Sequence, residues 1–311
     1  IMSTFLGDEL DAVLKAIKNG TPYVAENSKF EIGVDALPSF PKDSTDRNRT
    51  SPFAFTGNRF EFRMVGSSDN IACPNVMLNT MLAEELSEFT EILEPAKASG
   101  TLEKAVKDLL CKTLEEHDRV IFNGDGYAPE WIPEATRRGL PNYVSTVDAL
   151  PHYTDEKNIK MFEKFGVYTP VEVNARKEIL LEAYSKTINI EALTMIDMAK
   201  KQLLPATIAY TKELCDSVAV KKSIGVESAL ELNMANKLSA LAEDFATSIE
   251  KLSEKLAVAQ VAEEGEKQAR VYRDSVFAEM GEMRKIADEI EVSMPEDKWP
   301  IPPYSKIIFN V

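Results

Sequence analysis

Asn48-Arg49-Thr50-Ser51-Pro52-Phe53-Ala54-Phe55-Thr56-Gly57-Asn58-Arg59-Phe60-Glu61-Phe62-Arg63 ends in an alternation that continues through Met64 and Val65. From Asn58 to Val65 the residues read as a β-strand. Successive strand side chains point to opposite faces, so Phe60, Phe62 and Met64 share one face while Arg59, Glu61 and Arg63 share the other. Same-face neighbours stand roughly 6.6 Å apart, twice the rise per residue, so the charged groups form a row that one small ligand spans. A carboxylate between two guanidinium groups suits a polyanion bridged to a divalent cation, with the arginines forking onto phosphate or carboxylate oxygens. The same R-x-E-x-R pattern also fits a solvated strand face carrying ion pairs.

The surroundings favour chemistry. Gly57-Asn58 supplies a tight turn into the strand, and Arg49 adds a further guanidinium. Gly66-Ser67-Ser68 and an apolar helix follow, an arrangement common where a strand end carries function.

Asn48-Arg49-Thr50-Ser51, then FEFR, then the helix start at Pro74-Asn75 resemble the last catalytic-domain motifs of glutamine synthetase. Pro41 to Arg63 is similar to the long type III form found in bacteria. The resemblance continues through FNGDGYAPEWIPEATRRGLPN, Phe122 to Asn142, and on to WPIPPYSKIIF, so it covers essentially the whole chain. Type III enzymes are roughly twice as long, so the resemblance implies a C-terminal portion, and the opening on Ile1 is read as beginning mid-chain.

The 311 residues, 44% hydrophobic, are enough for a sizeable core and one or two domains. A net charge of -15 argues against nucleic acid or an anionic membrane as partner. Cys73, Cys111 and Cys215 have neither C-x-x-C spacing nor paired histidines, so neither a zinc site nor a disulfide framework is signalled and a reduced, cytoplasmic setting is expected. There is no membrane-length apolar run and no signal peptide pattern.

In chain order, a helix is expected from about Ser3 to Lys18, stopped by Gly20. Phe30, Ile32 and Val34 alternate as in a strand, and Leu37 to Asp46 reads as a proline-containing loop. Leu78, Met81, Leu82, Leu86, Phe89 and Leu93 mark an amphipathic helix whose methionine belongs to a core. A second helix opens at Thr101. His117 and His152 lack partners at ligand spacing, and Asn123-Gly124-Asp125-Gly126 lacks the ligand set of a calcium loop, so a plain turn is favoured.

From Thr169 the sequence turns helical. Thr169-Pro170-Val171-Glu172 starts a long helix running towards Leu204, and Pro205 kinks it or begins a new helix ending near Gly225. Ser228 and Glu231 have capping-box spacing. Beyond them, one apolar seam runs from Met234 to Ala259 and another from Tyr272 to Ile290. Gly265 separates the two, which predicts an antiparallel helical hairpin. Ser305 to Val311 is expected as a short edge strand, with Trp299 as an anchor.

The resemblance implies an α+β fold. Residues 1–168 would be the C-terminal part of the catalytic α/β barrel-like domain, and residues 169–311 a type III-specific, mainly α-helical domain with the long antiparallel hairpin. It implies a glutamate-ammonia ligase that amidates glutamate through a γ-glutamyl phosphate in nitrogen assimilation. Glutamate, ammonia and ATP would be substrates, Mg2+ or Mn2+ the cofactor, and homo-oligomeric rings the assembly. Glu61 matches a metal-binding glutamate and Arg63 the arginine that binds substrate glutamate. Arg59 matches an arginine near the nucleotide phosphates, and Arg49 one that contacts substrate and the transferring phosphoryl group. The flap glutamate would lie immediately before Ile1, and a single carboxylate cannot hold two divalent ions, so the chain by itself is expected to be inactive. Thr56 stands where the family usually has lysine. The alternative reading is a non-catalytic helical interaction or oligomerisation module.

Overall fold

The computed structural model describes residues 1–24, 29–30, 40–41, 50–64, 66 and 70–309. It is mostly helical, with a small three-stranded sheet. In chain order come β1 (Thr4–Phe5), α1 (Asp8–Asn19), β2 (Lys29–Phe30), β3 (Phe40–Pro41), β4 (Phe53–Phe55) and β5 (Phe60–Phe62). They are followed by α2 (Ala72–Ala98), α3 (Leu102–His117), α4 (Trp131–Arg137), α5 (Thr146–Ala149) and α6 (Glu156–Lys164). The remainder is α7 (Pro170–Met198), α8 (Leu204–Ser223), α9 (Ala229–Gln260), α10 (Glu266–Val271), α11 (Ala278–Glu291) and α12 (Tyr304–Phe309). The chain folds as two compact units, one of residues 1–144 and 156–169, the other of residues 145–155 and 170–311.

In the first unit the sheet order is β1-β4-β5, with β1 parallel and β5 antiparallel to β4. The expected helix from Ser3 is therefore a strand first. Thr4 and Phe5 pair with Phe53 and Ala54, and Gly7, at φ 79°, turns the chain into α1. Gly20, at φ 65°, closes that helix as its sequence implies, and the Thr21 amide donates to the Ala16 carbonyl at 3.0 Å. The strand expected over Asn58 to Val65 is shorter. Arg63 N–H still donates to the Pro52 carbonyl at 2.8 Å, but Pro52 has no N–H to return and the ladder stops.

β2 and β3 pair antiparallel, so Phe40–Pro41 is a strand where a loop is expected; Ile32 and Val34 lie outside the described residues. The apolar stripe of α2 is covered only in part: Leu78, Phe89 and Leu93 are half-buried, while the expected core place of Met81 is a correction. Met81, Leu82 and Leu86 are more than half exposed, whereas Thr80 is buried, Ala83 and Ser87 are half-buried, and Glu84 binds Lys164 of α6 at 2.6 Å. This pair joins α2 to α6 on the side away from Leu82.

A core of this unit centres on Trp131, stacked on Phe122 with ring centroids 3.8 Å apart, together with Ala135 and Leu140. The Arg138 guanidinium lies over both rings and donates to the Ile121 carbonyl at 2.9 Å.

In the second unit the periodic seams form the core. Leu238, Phe245, Ile249, Leu252 and Leu256 of α9 are buried with Met283, Ala287 and Ile290 of α11. α9 packs against both α8 and α11. Pro205 sits in the first turn of α8, directly after a π-helical turn at Ala199–Leu203. Proline cannot donate to a carbonyl one turn back, and the wider turn lets the path continue without a break. Ser228 makes no side-chain cap bond. Glu231 binds Lys221 instead, which draws its carboxyl below the usual range. The expected edge strand near the C-terminus is helical: the Lys306 and Ile307 amides donate to the Pro303 carbonyl at 2.9 and 3.2 Å. Proline opening a helix is favourable because its missing N–H lies among those left unpaired there anyway. Trp299 is buried in the core, as its anchor role requires.

Candidate active site

Three links position the charged row. Thr56 N–H donates to the Arg59 carbonyl at 2.8 Å, and Gly57, at φ 93°, takes the positive φ a two-residue hairpin loop demands, so Gly57-Asn58 delivers Arg59 directly into β5. β4 fixes the register by pairing Phe53, Ala54 and Phe55 with Phe62, Glu61 and Phe60. Phe53 stacks on Phe60 at 5.3 Å and meets Phe62 edge-on at 6.4 Å, giving the uncharged face its aromatic cluster.

On the other face Glu61 is held from both sides. Arg59 Nη2 donates to Oε1 at 3.1 Å, and Arg63 Nε and Nη2 donate to Oε2 at 3.2 and 3.0 Å. The side chains differ sharply in exposure: 72% for Arg59, 34% for Glu61 and 12% for Arg63. The Arg63 hydrogen bonds, then those of Arg59, draw the Glu61 carboxyl below its ordinary value. The group is thus an ionised carboxylate at neutral pH, oriented by two cations.

Both readings of R-x-E-x-R meet here, since the row is ion-paired and still presents charge to solvent. A carboxylate has about four lone-pair sites, and two guanidinium groups leave room for a further cation. Glu61 therefore fits as one ligand to a hard divalent ion. Among the described residues no three His, Cys, Asp or Glu side chains converge on a common point, so they do not form a cage for it. Arg49 lies outside the described residues, and Thr50 is the first described residue after it. His152 Nδ1 lies 3.2 Å from an Asp155 carboxylate oxygen, an exposed local pair.

The Asn123 to Gly126 run does more than turn. Asn123 Oδ1 accepts the amide protons of Leu6 and Gly7 at 2.9 and 3.1 Å, and Gly126 N–H donates to the Thr50 carbonyl at 2.7 Å. Its only trace in the sequence is an Asn-Gly-Asp-Gly string, whose partners lie more than 70 residues away. At Glu134 the hydrogen bonds from Arg137, then Arg138, hold the carboxyl at about 2.

Comparison with known proteins gives the class first: residues 105–222 match the glutamine synthetase C-terminal domain. The chain is 41% identical over 99% of its length to the type-3 glutamine synthetase of Dictyostelium discoideum. It is 39% identical over its full length to the glutamine synthetase of Butyrivibrio fibrisolvens, and 31% identical to that of Bacteroides fragilis (strain YCH46). It spans 43% to 44% of the length of these relatives. The resemblance carried by Pro41 to Arg63 thus extends along the whole chain, and the sequence is similar to a C-terminal portion of type III glutamine synthetase.

Proposed function

We propose that this chain is part of a glutamate-ammonia ligase and that β5 contributes to its active site. The observation that carries this reading is similarity to glutamine synthetases over the whole chain, with the Arg59, Glu61 and Arg63 row intact on one strand face.

In the reaction, a γ-carboxylate oxygen of glutamate attacks the γ-phosphorus of ATP. ADP leaves and an acyl phosphate forms; ammonia then attacks the acyl carbon, phosphate departs, and glutamine results. Three anionic groups meet in the first step, so preorganised positive charge is the main requirement. Arg63, the most buried of the row, binds the substrate carboxylate; Arg59, the most exposed, faces the nucleotide phosphates; Arg49 contacts substrate and the phosphoryl group in flight. Glu61 is one ligand of a Mg2+ or Mn2+ ion, which when bound neutralises phosphate charge.

In this reading residues 1–168 belong to the catalytic barrel-like domain. Residues 169–311 form a type III-specific domain whose antiparallel hairpin is supported by Lys237 bonding Ser293 while Ser248 and Lys255 bond Glu279. The complete protein works in the cytoplasm as homo-oligomeric rings. Among the described residues, no helix is long and apolar enough to cross a membrane.

The test is glutamine formation by the complete protein carrying Glu61→Ala. Turnover is lost while the circular dichroism spectrum is kept; a variant with wild-type rate and unchanged metal dependence would remove Glu61 from the site.

A further inference from the structure

A pocket of about 480 Å3 opens in the first unit among α1, the end of α3 and the end of α4, and no residue of β5 lines it. Its apolar wall is Leu14, Leu114, Ile121 and Phe122. Around these stand five cations, Lys15 and Lys18 from α1 and Arg119, Arg137 and Arg138 from the segments after α3 and around the end of α4, against two carboxylates, Asp11 and Asp118. In a chain of net charge -15 such a pocket is a local reversal of sign, and a concave site focuses its field on an incoming anion.

The cations differ in how firmly they are committed. Arg138 is half-buried, and its guanidinium is fixed by Glu134 Oε1 at 2.6 Å, by the Ile121 carbonyl at 2.9 Å and by the Phe122 and Trp131 rings. Arg137 forks onto the same carboxylate at 2.7 and 2.8 Å, so one carboxylate serves two guanidinium groups and positive charge is left over. Lys15 meets Asp11 at 2.7 Å and Lys18 meets Asp118 at 3.3 Å, partly exposed pairs of a kind that contributes little and exchanges partners readily. Arg119, the neighbour of Asp118, is exposed and makes no ion pair among the described residues.

A planar guanidinium matches paired phosphate oxygens, an ammonium adds a point charge, and the second negative charge of a phosphate monoester uses the surplus of cations. The volume is that of a site for a small organic molecule rather than a bare ion, and the apolar wall faces its carbon skeleton. We infer that this pocket binds a phosphate monoester of a small, partly apolar molecule, its phosphate held by Arg119 and Lys18 and its carbon part laid on Leu14, Leu114, Ile121 and Phe122. The assignment does not depend on the ligase role proposed for β5.

The probe is phenyl phosphate, titrated calorimetrically into the complete protein as wild type, Arg119→Ala, Lys18→Ala and Arg59→Ala, with inorganic phosphate for comparison and thermal melts to verify folding. Phenyl phosphate binds saturably, and more tightly than inorganic phosphate, which leaves the apolar wall bare. Arg119→Ala weakens binding about tenfold to a hundredfold, the range for one lost hydrogen bond between charged groups, Lys18→Ala weakens it as well, and added salt weakens it in the wild type. Arg59→Ala, on β5, leaves it unchanged. The assignment is overturned if phenyl phosphate does not bind, as when an acidic segment of the complete protein fills the pocket, or if folded Arg119→Ala and Lys18→Ala both bind it like the wild type. Equal affinity for inorganic phosphate would equally defeat it, as would loss of binding in Arg59→Ala instead of Arg119→Ala, which would put the phosphate on β5.

Discussion

Ala54 lies directly across the ladder from Glu61, and Phe5 pairs with Ala54 from the other side, so these three residues share one face of the sheet. Ala54 is fully buried and has the smallest side chain in the sheet. Its methyl group sets the floor beneath the charged row. Ala54→Leu adds carbon atoms where there is no space, so an overpacking cost of about 1–3 kcal/mol is expected in urea unfolding. The Glu61 carboxyl should also titrate at a higher pH as its arginines are pushed off. Ala54→Ser, nearly isosteric, should leave that titration in place. A Leu variant as stable as wild type, with Glu61 titrating normally for the folded protein, would show that the row does not depend on this floor.

Much of this architecture is legible in the sequence, for reasons that differ by element. The seams of α9 and α11 can be read because a long amphipathic helix repeats its apolar residues many times, and Leu238 through Leu256 are buried in that register. The charged and aromatic faces of β5 follow from strand alternation alone. The exposure of Met81, Leu82 and Leu86 on α2 does not, because burial there depends on where α3 and α6 pack, tertiary contacts with no local pattern. Ser305 to Phe309 is too short for period to separate strand from helix, and Pro303 decides it. Asn123 escapes because its backbone partners are remote in sequence.

Glu134 gives the first unit a defined acid sensitivity. Its carboxyl titrates at about 2 in the folded chain against an ordinary 4.5, held down by Arg137 and then Arg138. The folded value is the lower one, so its stabilisation is complete above the ordinary value and drains away as pH falls from about 4.5 towards about 2. Comparing urea midpoints of wild type and Glu134→Gln from about pH 6 down to about pH 3 should show a gap that narrows with acid. A gap that stays constant or widens would mean that the two arginines do not stabilise this carboxylate in solution.

In the second unit Glu279 is buried on α11, where its carboxylate takes Ser248 Oγ at 3.3 Å and Lys255 Nζ at 2.5 Å from α9. Truncation leaves two α9 donors without their acceptor, so Glu279→Ala should cost about 1–3 kcal/mol. Lys255 is the more exposed partner, and Lys255→Ala should cost less because water can replace it. If both substitutions were neutral, the seam alone would hold α9 on α11 and the polar pair would contribute nothing to their pairing.

Arg63 is where substrate binding and simple ion pairing lead to opposite measurements. Its side chain is 12% exposed and donates through Nε and Nη2 to a single oxygen of Glu61. If Arg63 also takes the substrate carboxylate, Arg63→Lys keeps the charge and loses the planar fork. Glutamate binding in the complete protein should then weaken by about 1.5–3 kcal/mol, or about tenfold to a hundredfold in KM, with the melting temperature nearly unchanged. If Arg63 serves only to hold Glu61, lysine should make a poorer partner in a largely buried place. The loss would then appear in the melting temperature, with KM for glutamate little altered. The KM for ATP is the internal control, because in the proposed arrangement the nucleotide phosphates face Arg59 rather than Arg63. A raised KM for ATP together with an unchanged KM for glutamate would exchange the roles of the two arginines.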